Sequence, residues 1–388
     1  MLDAEPAPPS TDESGRTLAR LTGAKTVTNV ALRWLPPFLP TLERAFGATT
    51  TQLTTVLGVG EAAGLSTVFV GRQLDRGRER AVMLVALGLV GASALIALFG
   101  TLTAFAISFF VLVLGVSNLT VAGQAWISHR VDYRRRARSI GLYETSWAMA
   151  LLVGAPVVAV LINLFGWRGP FVAIIIASMA AAVVVATALP RHVRVPMPSR
   201  RDRPRTVPIT PRAWLVMIGS ALTAMAGLSV FVISGSWLDD AFGVSTGGVG
   251  AVAMAFGATE LVSSLGSAAF ADRVGKLRTT LGGIVGLLVG LALMVGTDGQ
   301  LWLGVVGILT FLFGFELAFV TSLSLVSEAM PDARGVTLAV SNAVGTVARA
   351  AGAVASGALY GIHGISGTAS LAAGAGLLAA VCLVLSRR

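Results

Sequence analysis

Twelve apolar runs, each long enough to cross a bilayer, divide this chain. A helix needs about 20 mostly apolar residues to traverse the hydrocarbon core. By that ruler the runs fall near 25–45, 50–71, 81–100, 103–128, 139–165, 169–189, 213–236, 247–270, 279–297, 301–328, 335–358 and 366–386. Hydrophobic residues make up 55% of the chain and charged ones 12%. A water-soluble domain cannot bury that much apolar surface, whereas a lipid bilayer accepts it. The expected fold is an all-α membrane protein with twelve transmembrane helices.

The placement of charge sets the topology. The formal charge is +10, and of 29 basic residues only Lys25 and Lys276 are lysine. They collect in alternate connections. Arg16, Arg20 and Lys25 precede run one, and Arg72, Arg76, Arg78 and Arg80 follow run two. Arg130, Arg134, Arg135, Arg136 and Arg138 follow run four, and Arg273, Lys276 and Arg278 follow run eight. Lys and Arg favour the cytoplasmic side. Both termini are therefore expected in the cytoplasm, with the chain multi-pass in an inner or plasma membrane. Charge distributed this way is a topology signal rather than a nucleic-acid stripe, so no nucleic acid is expected as a partner. The single cysteine, Cys382, excludes an internal disulfide, and His129, His192 and His363 have no metal-ligand spacing. No nucleophile–His–acid set stands out, so neither an enzyme nor a cofactor is expected.

The chain also repeats itself. Gly71-Arg72-Gln73-Leu74-Asp75-Arg76-Gly77 has a counterpart in Ala269-Phe270-Ala271-Asp272-Arg273-Val274-Gly275-Lys276, about half a chain later. Leu42-Glu43-Arg44-Ala45-Phe46-Gly47 matches Leu238-Asp239-Asp240-Ala241-Phe242-Gly243 at nearly the same offset, and Ala137-Arg138 matches Ala333-Arg334. Ordered anchors at one spacing indicate two like halves, as in many transporters. The expected division is a disordered cytoplasmic tail over 1–24, a six-helix half over 25–189, a proline-rich cytoplasmic linker over 190–212, and a second six-helix half over 213–388. The polar start lacks the prompt apolar stretch of a cleavable signal.

These motifs resemble the major facilitator superfamily over almost the whole chain. Gly71, Asp75 and Arg76 match its loop signature, although Gly77 comes one place early; the second copy keeps Asp272, Arg273, Gly275 and Lys276, with Ala268 in place of the leading Gly. Gly166-Trp167-Arg168 with Phe171, and Glu328-Ala329-Met330-Pro331 leading to Arg334-Gly335, also look like that family. The resemblance implies two pseudo-symmetric six-helix halves that rock in alternating access. It also implies a cytoplasmic gate made of Gly71, Asp75, Arg76, Arg80, Asp132, Asp272, Arg273, Gly275 and Lys276. Asp75 would accept from the free N–H groups that open run eleven, near Ala333 to Gly335. Arg76 and Arg80 would pair across the loop with Asp132. Gly154-Ala155-Pro156 on run five is similar, in degenerate form, to the family's antiporter signature. The resemblance is to the proton-coupled drug and metabolite efflux branch, but the arginine that branch places midway along run four is missing, and Asn118, Gln124 and Trp126 stand there instead.

Charges inside apolar runs are costly and are functional candidates by default. Glu61, Glu260 and Glu316 lie midway along runs two, eight and ten, and are the proton-coupling candidates. Burial favours a neutral carboxyl and a nearby arginine favours the carboxylate, so an acid alternating between such settings loads and releases a proton. Arg33, Asn118, Trp126, Glu144, Trp147 and Arg349 are the candidates for the substrate cavity. Simpler roles are open to each. Glu144 is near enough to the interface to snorkel, Glu316 and Arg349 could form a static pair, and Glu61 and Glu260 could bond neighbouring helices. Pro36-Pro37 and Pro40 should interrupt run one. The leading expectation is a monomeric secondary transporter that exports a small amphipathic organic molecule against protons. Proton-coupled uptake of a metabolite is the second expectation, and a transporter-fold sensor without flux is the third.

Overall fold

The computed structural model describes residues 11–190, 208–330 and 333–387, and among them there is no β-strand. Eleven helices are long and apolar enough to cross a membrane. They are span two (Thr50–Leu74), span three (Glu79–Ala97), span four (Leu102–Arg130), span five (Arg138–Phe165) and span six (Arg168–Ala188). After the midpoint come span seven (Pro211–Phe242), span eight (Thr246–Val274), span nine (Lys276–Val295), span ten (Leu301–Ala329), span eleven (Arg334–His363) and span twelve (Ile365–Leu385).

The twelfth expected element, span one, is divided. One helix covers Thr11–Arg33 and a second covers Leu39–Phe46, with turns between. Pro36 and Pro37 donate no amide hydrogen, so the ladder fails where they occur. The tail expected over 1–24 is corrected in the same place. Helix begins at Thr11, and Leu18, Leu21 and Ala24 are buried against spans three, four and six, so an apolar face outweighs a polar composition. Residues 1–10 lie outside the described part. Of the linker expected over 190–212, residues 191–207 lie outside it too, while Pro211 and Arg212 begin span seven behind Thr210, whose hydroxyl accepts from the Ala213 amide at 3.2 Å.

The turns preserve the duplication. Left-handed glycines occur in four pairs, Gly47 with Gly243, Gly77 with Gly275, Gly100 with Gly299, and Gly166 with Gly364, each about half a chain apart. Gly47 (φ 60°, ψ 34°) and Gly243 (φ 60°, ψ 35°) end their helices in the same conformation, which only glycine adopts without strain. The next helix starts alike in both halves. The Thr49 hydroxyl accepts from the Gln52 amide, and that of Ser245 from the Gly248 amide.

The halves are joined along a shared boundary. Span two packs on span eleven, span five on span eight, and span one on span seven. The largest apolar core, including Trp34, Phe38, Leu53, Trp237 and Phe256, draws on both halves. The two other main clusters keep to one half each: Leu21, Met83 and Trp126 in the first, Met217, Ile284 and Leu383 in the second. These two lie toward the face carrying the arginine-rich loops, here the basic face. At the opposite face the halves are latched. Arg44 meets Asp239 at 3.0 Å, Ser236 donates to Glu43 at 2.8 Å, and Thr51 donates to the Gly357 carbonyl at 3.0 Å, while within the second half Tyr360 donates to Asp240 at 2.7 Å. Gly235 of span seven sits against the Pro36 and Pro37 carbonyls at the break, so closely that a methyl group there would collide with Pro37.

Irregular helix is concentrated in the first half. Besides the break in span one, span two passes through a 3-10 turn at Glu61–Ser66, and span five is built from Tyr133–Glu144, Ser146–Leu152 and Gly154–Phe165. Spans eight, ten and eleven run uninterrupted.

Candidate functional site

A polar stripe on span one begins the site. Lys25, Asn29 and Arg33 are spaced by four, which puts them on one helix face. That face meets span five. Lys25 is buried, pairs with Glu144 at 2.5 Å and lies 4.4 Å from the Tyr143 ring centre. Glu144 also accepts from Gln124 of span four at 3.0 Å. Asn29 donates to Ser146 at 3.1 Å. The sequence reading assigns Lys25 to the basic end of the chain; the structure buries it, and only the four-residue spacing to Asn29 and Arg33 signals this.

Arg33 reaches across to the second half. Its two terminal nitrogens donate to Glu260 of span eight at 2.7 and 2.5 Å, and one of them also donates to the Trp147 carbonyl at 2.8 Å. The guanidinium lies 4.3 Å from the Trp147 ring centre and 5.3 Å from that of Phe231. Only 3% of either side chain is accessible. A bidentate, aromatic-flanked fork of this kind is a strong, geometrically specific pair.

A second pair crosses in the other direction. Arg349 of span eleven donates through Nε to Glu61 of span two at 3.2 Å, and through Nη2 to Thr346, also at 3.2 Å. It is looser and wetter, with 28% of Arg349 and 18% of Glu61 accessible. Glu61 opens the 3-10 turn of span two, the kind of mid-helix irregularity that marks hinges. The static Glu316–Arg349 pair considered from sequence is not formed, because Arg349 is on the Glu61 side of the boundary.

Glu316 is the acid left over. It is buried in span ten and accepts from Ser264 of span eight at 2.7 Å. Glu260 and Arg33 are its charged neighbours, yet among the described residues no cation pairs with it. The interior charges thus match one to one, Lys25 with Glu144, Arg33 with Glu260 and Arg349 with Glu61, and Glu316 is the exception.

The other candidates scatter. Asn118 donates to Ser66 of span two at 3.1 Å, and its Oδ1 is buried without a partner. Trp126 is packed into the first half's own core, with Arg130 5.6 Å from its ring centre, away from the charged pairs. At the basic face the expected gate contacts are not made. The Asp75 carboxylate has no hydrogen bond or ion pair among the described residues, and neither Arg76 nor Asp132 bonds the other. Arg80 donates instead to the Ala186 carbonyl at 2.9 Å, and Lys276 pairs with Glu328; each contact stays within one half. For Arg80 the physical reason is that the Ala186 carbonyl, near the end of span six, already takes its donor. Gly71 and Gly275 have open space where a side chain would begin. Asp272 and Arg273 lie in the last turn of span eight. An unanticipated cluster stands beside this loop, where Glu79 bonds His129 at 2.7 Å and Arg130 at 3.1 Å.

Two like helical halves, latched at one face, with charged pairs across their boundary, define a membrane carrier fold. The chain belongs to the Major Facilitator Superfamily, whose family model matches residues 24–353 and, again, 217–388. The resemblance drawn from the loop motifs is thereby confirmed, as is the fold. Over 336 residues the chain is 24% identical to the uncharacterized MFS-type transporter YceJ of Bacillus subtilis (strain 168), covering 84% of each. Over 238 residues it is 29% identical to the transcription regulatory protein OpdE of Pseudomonas aeruginosa, covering 58% of each. Among solved structures it is similar to a bacterial homolog of the human lysosomal transporter Spinster in an inward-facing, unoccupied conformation. The TM-score is 0.75 at 14% identity, over 97% of this chain and 96% of that one. A D-xylose-proton symporter gives a TM-score of 0.74 at 15% identity, over 94% and 96%. At such identities the likeness is one of fold.

Proposed function

We propose that this chain is a proton-coupled secondary transporter of small organic molecules, working by alternating access in a cell membrane. Its basic face lies in the cytoplasm, and the conformation described is open to that side. The distribution of arginine supports this orientation, and the latch at the opposite face supports the state. One observation carries the coupling: Glu316 is a buried acid with a hydroxyl partner and no cation among the described residues, whereas Glu61, Glu144 and Glu260 each have one. An unpaired charge in this setting costs several kcal/mol, and a proton removes it. Glu316 is therefore the group that exchanges a proton during the cycle, and Glu61 and Glu260 hold the halves together. One proton crossing roughly 150 mV supplies ~3.5 kcal/mol, enough for a ~300-fold gradient of a neutral solute.

Export is the direction we favour, supported by the break at Val153 beside Gly154-Ala155-Pro156. The cargo is amphipathic, and the gate loops around Asp75 and Asp272 engage when the basic face closes. A second reading, a sensor without flux, has support from the kinship with a protein named as a transcription regulator. Proteoliposomes with an imposed pH gradient separate the readings. Cargo-dependent proton movement, abolished in Glu316→Gln, is the expected result. Ligand binding with no proton movement under either gradient would replace the transporter reading with the sensor.

A further inference from the structure

We infer that Arg349 is the anion-binding group of the transport site, and that the cargo is an amphipathic organic anion with a carboxylate or similar oxyanion head. This rests on the transporter reading above and narrows its substrate class.

The two boundary arginines are in opposite conditions. Arg33 uses both terminal nitrogens on Glu260, adds the Trp147 carbonyl, and is sealed between aromatic rings. Its only unsatisfied nitrogen, Nε, is buried. A guanidinium carries five N–H donors. Arg349 spends one on Glu61, through Nε, and one on Thr346, and its Nη1 has no bond among the described residues. The edge formed by Nη1 and Nη2, the one that grips a carboxylate in bidentate fashion, is left largely free. The side chain is 28% accessible, and its pair with Glu61 places it at the boundary between the halves, where an interior charge is expected rather than against lipid.

Gly345 keeps that edge clear. It precedes Arg349 by about one helical turn, and beyond its own helix's backbone and its two chain neighbours Nη1 is the one described atom within 4 Å of where its Cβ would stand, at 3.5 Å. Any larger side chain would extend over the guanidinium. The acids offer no comparable site for a cationic cargo. Glu144 and Glu260 are each engaged by a cation, and Glu316 is buried. An anion arriving at Arg349 competes with Glu61 and loosens a contact between the halves, which couples binding to their motion.

The test uses three probes with one apolar tail and different heads: octanoate, octylamine and octanol. Each is titrated against the purified full chain in detergent, with the shift in melting temperature as the readout. Octanoate should stabilise the protein at concentrations at which octylamine and octanol do not. Arg349→Gln and Gly345→Leu should each weaken the octanoate effect at least tenfold, the second without changing any charge. Glu61→Gln should strengthen it, because the competing carboxylate is gone. The inference is overturned if octylamine is preferred and Glu61→Gln abolishes its effect, or if Gly345→Leu and Glu61→Gln leave octanoate unchanged. Binding here is read without a gradient. Octanoate binding through Arg349 with no flux would keep this assignment and remove the transporter reading; proton-coupled flux of octylamine would do the reverse.

Discussion

Arg44 lies 3.0 Å from Asp239, the residue that the internal repeat equates with Arg44's own neighbour, Glu43. The two copies of one ancestral segment thus face each other at the latched side of the molecule. Identical copies would have formed this acid–base pair twice, but the position equivalent to Arg44 is Asp240, which accepts from Tyr360, so one pair is left.

This pair is exposed, with 65% of Arg44 and 31% of Asp239 accessible, and exposed pairs contribute about 0.2–1 kcal/mol. Arg44→Glu should therefore move the balance away from the latched state by no more than roughly fivefold. Alkylation of a cysteine placed at Thr41, in a chain also carrying Cys382→Ser, measures the change. Adding Asp239→Arg should restore it.

Gly235→Ala should act more strongly. The added methyl meets the Pro37 carbonyl, and overpacking costs roughly 1–3 kcal/mol. The latched conformation should lose between about 5- and 150-fold in population. The same cysteine should become rapidly modified, whereas Gly71→Ala, which meets open space, should leave its rate unaltered.

The two boundary pairs should respond unequally to loss of their acids. Glu260→Gln strands Arg33 in a sealed site, at a cost of about 3–5 kcal/mol. Glu61→Gln leaves Arg349 in contact with water and should cost below roughly 1 kcal/mol. Melting temperatures in detergent report the difference, and equal shifts would contradict the assignment of one closed and one open arginine.

Lys25 and Glu144 should show a similar asymmetry within one pair. Only 2% of Lys25 is accessible, against 42% of Glu144. Glu144→Ala leaves a buried ammonium unpaired, at about 3–5 kcal/mol. Lys25→Met keeps the packing volume and leaves a wetted carboxylate, at less than about 1.5 kcal/mol. The double variant Lys25→Met with Glu144→Ala should be more stable than Glu144→Ala alone.

Glu316→Gln tests the coupling directly. Accumulation driven by a pH gradient should fall at least tenfold, while exchange of cargo across the membrane without a gradient continues. Retention of full gradient-driven accumulation would move the proton to another group.

The architecture was legible because it rests on local signals. Apolar run lengths, alternating arginines and the repeated Asp75 and Asp272 loops each leave a mark within a few residues. The site was legible only in part. Glu61, Glu260 and Glu316 stand out as charges in apolar surroundings, but nothing near Glu61 indicates that its partner is Arg349, in the other half of the chain. Lys25 was hidden for a different reason: at the edge of a polar segment it looks like a topological charge, and burial emerges only when span one is packed on span five. The Asp75 contacts expected from motif and topology would join it to the start of span eleven, in the other half of the chain, and nothing local to Asp75 fixes whether they form.

The interruptions in spans one, two and five have no counterparts in spans seven, eight and eleven. Duplication therefore produced two copies that are not mechanical equals. An unbroken helix transmits a displacement along its length like a rod, whereas one with missing rungs absorbs it at the gap. In this protein the first half is the compliant member and the second the rigid one, and each boundary ion pair ties a residue beside a gap, Arg33 or Glu61, to a rod.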